Sequence, residues 1–272
     1  MTAGRSPAVL PGVRLATFNI LHGRSFVDHE VDLDRFSGAV AGLDADVLAL
    51  QEVDRSQPRS HGADLTRLAA EAMGATDHRF MATMTGTPGQ WHPAADDHAA
   101  DAPAYGISLL SRHPVLSWRA LRLAPLPFRA PAFHADSLRP RLVHDEPRAA
   151  LAAVVDTPDG ELTVIATHLT FVPGWNVVQL RRLLRAVRRS PRPAVLMGDL
   201  NIRAPRAARL TGWRPLVTAP SFPVGAPDRQ IDHVLAQGDL RVTSAGTVHD
   251  TGVSDHRALV VEVRVGGHEA PR

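Results

Sequence analysis

Six short polar strings are spread along the chain, and each lies at the end of an apolar run. They are Thr17-Phe18-Asn19-Ile20, Leu50-Gln51-Glu52-Val53-Asp54, Thr167-His168-Leu169, Gly198-Asp199-Leu200-Asn201, Ile231-Asp232-His233 and Ser254-Asp255-His256. Any one string this short occurs by chance, but six of them in such positions are hard to attribute to chance. Because a charged group at the end of a buried strand is expensive unless it binds something, the strings predict a single shared site.

The apolar patterning predicts many strands and few helices. The predicted strands are Val13–Ile20, Asp46–Leu50, Arg79–Thr85, Tyr105–Ser111, Val115–Leu123, Arg148–Asp156, Glu161–His168, Ala194–Asp199, Ile231–Ala236, Leu240–His249 and Arg257–Val265. The predicted helices, from their 3.6-residue spacing, are Val31–Leu43, Asp64–Met73 and Gln179–Arg189. Pro158-Asp159-Gly160 predicts a hairpin turn. Hairpins in both halves favour two packed sheets with helices outside them, an α/β (α+β) fold.

No linker divides the chain, so we expect one catalytic domain over residues 13–265. Residues 1–12 are expected to form an N-terminal extension and residues 266–272 a C-terminal tail. Residues 86–103 and 124–147 are rich in glycine or proline and lack periodicity, which predicts two long loops. Loops of this length inside a compact domain are usually functional or disordered.

Composition excludes several classes of protein. The chain has no cysteine, so it has neither a disulfide framework nor a thiolate metal site. It contains no apolar run of about 18 residues, the length expected of a membrane-spanning helix. We find no signal peptide either, and the expected compartment is the cytoplasm.

The basic residues of the chain are all arginines. The 30 positive charges include no lysine, and the formal net charge is only +2. A sequence pI near 10.1 therefore reflects the high pKa of arginine rather than a strongly basic surface. A general nucleic-acid binder is expected to carry more net charge or a clear basic stripe. Arginines on the helix predicted at Gln179–Arg189 fit either a patch for nucleic acid or anionic lipid, or a solvated helix face.

Oxygen ligands dominate two of the strings. Asp199 follows the apolar run Ala194–Gly198, and an extended backbone would point Asn201 to the same side as Asp199. A turn cap at the strand end is the structural alternative for this pair. Glu52 closes a second apolar run in the same way. Carboxylate and amide oxygens suit a hard cation such as Mg²⁺, although a histidine-rich zinc site is not excluded by composition.

Three histidines belong to the strings, and two of them, His168 and His256, are candidate site residues. His168 ends a predicted strand, and His256 stands beside Asp255 in a predicted loop. The pKa of imidazole, near 6.5, allows either histidine to donate or accept a proton near neutral pH. The loop Phe171–Trp175, just after His168, fits either a wall of the substrate cleft or a small satellite core.

Taken together, the strings resemble the endonuclease/exonuclease/phosphatase superfamily of DNase I-like, metal-dependent phosphohydrolases. The resemblance runs from about Val13 to Val265 and is most specific at Gly198–Asn201 and Ser254–His256. The segment Tyr105–Arg112 is also similar to the family. The resemblance implies a four-layered αββα sandwich, two packed mixed sheets flanked by helices, with the site at one mouth between the sheets.

The resemblance also implies roles for the acids and amides. Glu52 is similar to the principal Mg²⁺ ligand, with Asn19 and Asp255 near the metal and Mn²⁺ as an alternative ion. Asp199 matches the group that orients or deprotonates the attacking water. Asn201 matches a group that holds a non-bridging phosphate oxygen.

For the basic side chains the resemblance implies contacts with the phosphate. His256 would contact the phosphate, with Asp232 fixing its orientation. His168 matches the second histidine of the DNase and sphingomyelinase branches, a candidate general acid. Arg148 is the weakest assignment, a candidate phosphate clamp. Phe18 stands where abasic-site enzymes usually have tryptophan, and this puts a DNA-repair role in doubt.

The resulting hypothesis is a Mg²⁺-dependent phosphoesterase that hydrolyses a phosphodiester with a metal-activated water. The substrate is a phosphoester, from nucleic acid, a lipid head group or a small molecule, and the expected oligomeric state is a monomer. The alternatives are a sphingomyelinase-like or small-molecule phosphatase, or a catalytically silent phosphate-binding module. The silent module is disfavoured because the residues that silent relatives usually lose are all present: Glu52, Asp199, Asn201, Asp232, Asp255 and His256.

Overall fold

The computed structural model describes residues 12–95, 101–132 and 141–266 of the chain. Its strands are β1 (Val13–Asn19), β2 (Val47–Arg55), β3 (Asp77–Thr85), β4 (His92–Pro93), β5 (Ala104–Ser111), β6 (Val115–Leu123), β7 (Ala130–Ala132), β8 (Arg141–Val143), β9 (Arg148–Thr157), β10 (Gly160–His168), β11 (Ala194–Asp199), β12 (Arg214–Pro215), β13 (Asp232–Gln237), β14 (Leu240–His249) and β15 (Ala258–Val265). Its α-helices are α1 (Leu33–Leu43), α2 (Leu65–Met73), α3 (Trp175–Val187) and α4 (Ala204–Thr211).

These strands form two large sheets and one small one. The seven-stranded sheet has the order β14-β15-β1-β2-β5-β3-β4, and the six-stranded sheet has the order β12-β13-β11-β10-β9-β6. Strands β7 and β8 pair only with each other. Each large sheet is mixed, because β1 pairs with β2 in parallel and β10 pairs with β11 in parallel, beside antiparallel neighbours.

Alternation of apolar side chains along the strands builds the layers. In β2, Val47 and Ala49 belong to the core between the sheets, whereas Leu48 and Leu50 pack under α1 and α2. This follows from the two-residue period of a strand, which points neighbouring side chains to opposite faces. Helices α3 and α4 cover the outer face of the six-stranded sheet. The predicted αββα sandwich is thereby confirmed.

Capping side chains set where the first two helices begin. The carboxylate of Asp32 accepts hydrogen bonds from the backbone N–H groups of residues 34 and 35, so α1 begins at Leu33, two residues later than predicted. Asp64 caps α2 in the same way. An N-cap residue lies outside the helix proper, which explains the small offsets.

Two helical features differ from the sequence prediction. Helix α3 begins at Trp175, four residues before the predicted start at Gln179. Helix α4 was not predicted, because its eight residues carry a single buried side chain, Ala207, and therefore no apolar periodicity.

The long loops are partly described. Residues 86–103 contain the short β4, and residues 124–147 contain the β7–β8 hairpin, while residues 96–100 and 133–140 lie outside the described residues. Of the predicted N-terminal extension and C-terminal tail, only Gly12 and Gly266 are described. Among the helices that the structure describes, none is long and apolar enough to cross a membrane.

Candidate active site

Strand register brings three of the predicted residues together at one edge of the six-stranded sheet. His168 lies beside Asp199 in the parallel pairing of β10 and β11, and Asp199 lies opposite Asp232 in the antiparallel pairing of β11 and β13. The carboxyl ends of β10 and β11 therefore meet the amino end of β13. Asn19, at the end of β1, reaches this edge from the other sheet.

Gly198 makes the close approach of β11 to β10 feasible. Its φ is +140°, a conformation that other residues rarely adopt. A Cβ atom at this position would overlap the backbone carbonyl oxygen of Thr167 on β10. The glycine of the string Gly198–Asn201 is therefore required by the backbone packing that sets Asp199 beside His168.

Asp199 is the side chain on which the contacts converge. It is buried, and its Oδ2 atom accepts a hydrogen bond from Asn19 Nδ2 at 3.3 Å. The same oxygen lies 3.5 Å from His168 Nε2 and 3.9 Å from His256 Nε2. Burial, followed by the negative charge of Asp232, raises the pKa of Asp199 to about 7. A carboxyl group with this pKa exchanges protons near neutral pH.

The backbone around Asn201 differs from the extended segment expected from the sequence. Asn201 has a φ of +51°, and its N–H donates to Asp199 Oδ1 at 2.9 Å. Asp199 and Asn201 therefore form a turn cap at the end of β11, the structural alternative to an extended segment. The Asn201 side chain still borders the cleft, and its Nδ2 donates to the carbonyl oxygen of Leu169 at 2.9 Å.

His256 is held by a buried carboxylate. Its Nδ1 donates to Asp232 Oδ2 at 2.9 Å, and Ser221 Oγ donates to the same oxygen at 2.6 Å. Burial by itself would lower the pKa of His256, but the charges of Asp232 and Asp199 outweigh it and raise that pKa to about 10. The imidazole is consequently a cation at neutral pH. The ring of Phe222 packs against it with centroids 4.7 Å apart.

His168 has the opposite electrostatic environment. Burial, and then the positive charge of Arg148, lower the pKa of His168 well below 6.5. Arg148 Nη1 lies 3.3 Å from His168 Nδ1, and because a guanidinium only donates, Nδ1 must be the acceptor. The proton of the neutral ring is thus on Nε2, which faces Asp199. This environment disfavours a protonated His168 and therefore the general-acid role expected for it.

Glu52 lies at an irregularity in β2. The pairing of β2 with β5 is shifted between Gln51 and Val53, and Glu52 has a φ of +59°. Such a bulge re-aims a side chain, and Glu52 lines the cleft. Asn19 Nδ2 donates to Glu52 Oε1 at 3.0 Å, while burial raises the pKa of Glu52. Asp255 lines the same cleft, and neither carboxylate forms an ion pair with an arginine or histidine among the described residues.

Two sets of side chains have metal-binding chemistry. Ligand atoms of Asp199, Asp232 and His256 lie within 4.8 Å of one another, which could hold a divalent ion. However, the 2.9 Å contact between His256 Nδ1 and Asp232 Oδ2 already contains a proton. Glu52 and Asp255, neither of which forms an ion pair among the described residues, fit a hard cation better.

Seven of the nine predicted site residues border a cleft of about 400 Å³; the other two, Asn19 and Asp232, contact residues that line it. Sequence reasoning missed five nearby side chains, namely Ser221, Phe222, Arg203, Arg229 and Tyr105. Arg203 and Arg229 line the cleft, and the pKa of Tyr105 is raised well above 10 by burial and the charge of Glu52. Tyr105 could have been found from the sequence, since it is the first residue of the segment Tyr105–Arg112 that resembles the family. Ser221 and Phe222 lie in a loop without any local pattern.

The segment after His168 has one of its two expected roles, that of a wall of the cleft. Phe171 is 41% exposed and lines the cleft. Trp175 instead begins α3, and its indole N–H donates to the carbonyl oxygen of Ala124 at 3.1 Å. On α3 the arginines Arg181 and Arg185 are exposed, as expected of a solvated helix face.

Comparisons with known proteins agree with this fold. A family model described as "Endonuclease/Exonuclease/phosphatase family" matches residues 16–256. A solved endonuclease/exonuclease/phosphatase from Beutenbergia cavernae DSM 12333 is 26% identical, with a TM-score of 0.69 over 94% of this chain and 72% of that one. A Bacteroides vulgatus structure has 17% identity and a TM-score of 0.64 over 93% and 99% of the two chains. The Bacteroides thetaiotaomicron mannosyl-6-phosphatase Bt3783 has 14% identity and a TM-score of 0.57 over 92% and 99%. No curated protein sequence matches the chain.

Proposed function

The chain belongs to the endonuclease/exonuclease/phosphatase family, and from this premise we propose that it hydrolyses a phosphodiester with water as the nucleophile and Mg²⁺ as the metal. The observation that carries the proposal is the position of Asp199 Oδ2. It lies 3.5 Å from His168 Nε2 and 3.9 Å from His256 Nε2 and accepts a hydrogen bond from Asn19 of the opposite sheet. A buried carboxylate with this set of partners can hold a water beside a bound phosphate.

Asp199 is the proposed general base. Its Oδ1 is fixed by the backbone N–H of Asn201, which leaves Oδ2 on the side of the histidines. With a pKa raised to about 7, Asp199 is ionised in a large fraction of molecules at neutral pH and can take a proton from water. A base with its pKa close to the working pH transfers protons efficiently.

His256 is the proposed phosphate-binding cation. Its Nδ1–H is engaged by Asp232, so the second N–H group, on Nε2, is free to donate to a phosphoryl oxygen. A positive charge held in place before the substrate arrives stabilises the charge that accumulates on the phosphoryl group. The hydrogen bond from Ser221 to Asp232 keeps this pair aligned.

His168 acts in the proposal as a neutral donor. Arg148 holds its Nδ1 as an acceptor and so directs the Nε2 proton toward Asp199 and the cleft. Arg148 is itself buried, with Nη2 3.5 Å from Glu146 Oε2, and it contributes a fixed positive charge to the site. We assign two roles to Arg148: it orients His168, and its positive charge attracts the bound phosphate. Asn201 forms part of the cleft wall beside these two residues.

The proposed Mg²⁺ ligands are Glu52 and Asp255, with Asn19 adjacent. Their fit to a hard cation rests on two observations: both carboxylates line the cleft, and neither forms an ion pair among the described residues, while burial outweighs the nearby charges of His256 and Arg148 and raises the pKa of Glu52. When bound, the ion supplies Lewis acidity toward a phosphoryl or leaving oxygen and lowers the pKa of its water. Mn²⁺ has the same ligand preference and is the alternative ion.

Hydrolysis of bis(p-nitrophenyl) phosphate tests the proposal. The purified protein is expected to release p-nitrophenol with Mg²⁺ and not with EDTA, and Asp199→Asn is expected to be inactive. Asp156→Asn, the same chemical change at an exposed position on the far end of β9, serves as the matched control. Equal activity of the Asp199→Asn and Asp156→Asn proteins, or full activity in EDTA, would refute the proposal.

Nicking of supercoiled plasmid then separates nucleic acid from other phosphodiesters. Metal-dependent nicking that is lost in Glu52→Ala indicates a DNase I-like nuclease. Absence of nicking by protein that cleaves the synthetic diester indicates a lipid head group or a small molecule.

A lipid phosphodiester is the second candidate because of two exposed apolar side chains. Phe26 and Val27 are 50% and 88% exposed. Their loop is joined to the loop of Asp255 and His256 through the bridge between Ser25 and Ser254. Hydrolysis of sphingomyelin in vesicles that falls in Phe26→Ser/Val27→Ser, while the synthetic diester is cleaved normally, would favour this candidate.

A further inference from the structure

A second groove adjoins the candidate active site. It has a volume of about 480 Å³ and is bordered by residues after β11 and on α4. Asn201 and Arg203 line both this groove and the cleft that holds Asp199. The groove and the cleft are therefore direct neighbours, and Asn201 and Arg203 form their common border.

Three arginines give the groove its charge. Arg203, Arg206 and Arg209 all line it, and all three are exposed. Arg203 immediately precedes α4, whereas Arg206 and Arg209 lie within the helix, three residues apart on neighbouring turns and about 4.5 Å apart along its axis. No aspartate or glutamate is among the lining residues.

These guanidinium groups are available to a ligand. Within the described part of the chain, neither Arg203 nor Arg206 has a side-chain hydrogen bond or an ion pair, and Arg209 donates only its Nε–H, to the carbonyl oxygen of Pro205 at 3.0 Å. Exposed arginines on a helix are often simply solvated, as on α3. Arg203, Arg206 and Arg209 differ from the arginines of α3 because they line one groove, and this groove adjoins the candidate active site.

We propose that the groove binds a second phosphate group of the substrate while the first occupies the cleft beside Asp199. The inference rests on the proposed function for the position of the first phosphate. Guanidinium groups pair with phosphate oxygens through charge-assisted hydrogen bonds, and two of them on one helix face can share one phosphate. The substrate class is thus a phosphoester that carries a further phosphate group.

This local charge is consistent with a protein whose overall charge is small. The formal net charge is +2, so the whole surface does not attract polyanions strongly. Selectivity for a second phosphate must come from a few positioned arginines. Two sources share this chemistry, a nucleic-acid strand and a small bisphosphate.

Calorimetric titration with thymidine 3′,5′-bisphosphate and thymidine 5′-monophosphate tests the groove. The full-length chain is titrated in Mg²⁺ buffer, and the same titrations are repeated in Asp199→Asn protein, where the ligand stays intact. We expect the bisphosphate to bind about tenfold more tightly, and Arg206→Ala/Arg209→Ala to abolish this preference. The matched control is Arg181→Ala/Arg241→Ala, which removes two exposed arginines that line neither cavity.

Three results would overturn the inference. Equal binding of the two ligands by the unmodified chain shows that no second phosphate is recognised. A preference that survives Arg206→Ala/Arg209→Ala places the second phosphate elsewhere. A preference lost equally in the control variant shows only a long-range effect of charge. If the bisphosphate binds more tightly in the expected way but the protein hydrolyses no phosphodiester, the proposed function is refuted and the groove is still a phosphate-binding site.

An oligothymidylate of eight residues distinguishes the two sources. Binding much tighter than that of the bisphosphate, with the same dependence on Arg206 and Arg209, supports a nucleic-acid strand. Binding no tighter than that of the bisphosphate supports a small bisphosphate substrate. Oligonucleotide binding that does not depend on these arginines would count against the groove.

Discussion

The two sheets contribute unlike edges to the candidate active site. On the seven-stranded side, Glu52 and Asp255 are carboxylates without an ion pair among the described residues. On the six-stranded side, Asp199 and Asp232 are both hydrogen-bonded and each lies close to a histidine. Under the proposed function this difference is a division of labour, in which the seven-stranded edge would hold the cation and the six-stranded edge would handle protons.

Two contacts join these edges. Asn19, from β1, donates to both Glu52 and Asp199, at 3.0 and 3.3 Å. His256, from the loop before β15, donates to Asp232 on β13. Because each contact crosses from one sheet to the other, the relative position of the sheets fixes the geometry of the site. The division of labour can therefore be tested one edge at a time.

The largest expected effect is that of Asp199→Asn on the six-stranded edge. Loss of the base is expected to lower kcat by about 10³-fold, since general-base catalysis typically contributes on the order of 10² to 10⁴. The amide retains the shape of the side chain, so the thermal unfolding midpoint should change little. Steady-state kinetics over a Mg²⁺ series should show no recovery at high metal. Recovery with Mg²⁺ would instead make Asp199 a metal ligand and would remove the difference in role between the two edges.

The next largest effect is expected for Glu52→Gln on the seven-stranded edge. The variant should need roughly 100-fold more Mg²⁺ for half-maximal activity, with kcat partly restored at high metal. Metal titration by calorimetry checks the same change without turnover. Glu161→Gln, at an exposed position at the start of β10, is the matched control. An unchanged Mg²⁺ requirement in Glu52→Gln would remove the distinction between the edges.

Much of this arrangement could be predicted from local sequence. Strands such as β2 and β11 are apolar runs that end in a polar string, and their alternation already assigns side chains to two faces. Strand ends that meet at one mouth led to His168 and Asp199, whereas the roles expected for Asn19 and Asp232 came from the family resemblance. Long-range pairing was not needed to name them.

Other features depend on tertiary context and have no local pattern. The bulge that aims Glu52 arises where β2 and β5 fall out of register. The loop that brings Ser221 and Phe222 to His256 comes from the segment between β12 and β13. The opposite pKa shifts of the two histidines depend on burial and on Arg148 and Asp232, which no short string encodes.

A change in pH dependence is expected from Asp232→Asn, which removes the carboxylate that joins the edges. In the unmodified protein, activity should rise through about pH 7 as Asp199 ionises and fall through about pH 10 as His256 loses its proton. The charge of Asp232 raises both pKa values, so its loss should move both limbs of the profile to lower pH. The maximal kcat should fall by roughly tenfold.

The pH profile of kcat/KM, which reports the pKa values of the free enzyme, checks this, with Ser221→Ala as a companion variant. Ser221→Ala removes one hydrogen bond to Asp232 but leaves its charge, so the limbs should move much less than in Asp232→Asn. An alkaline limb that stays in place in Asp232→Asn would show that His256 owes its charge to other groups.

The smallest effect on turnover is expected for Arg148→Gln, and it bears on why the two histidines differ. Burial is the larger cause of the lowered pKa of His168 and the charge of Arg148 is the second, so removing the charge should raise that pKa only part of the way toward 6.5. The change in kcat at pH 7 should stay within about tenfold, because the neutral ring remains the main form. Titration of the imidazole nitrogens by NMR, with Arg241→Gln as an exposed control, measures the pKa directly. If His168 titrated identically in both variants, burial alone would keep it neutral, and the proton-handling edge would not need Arg148.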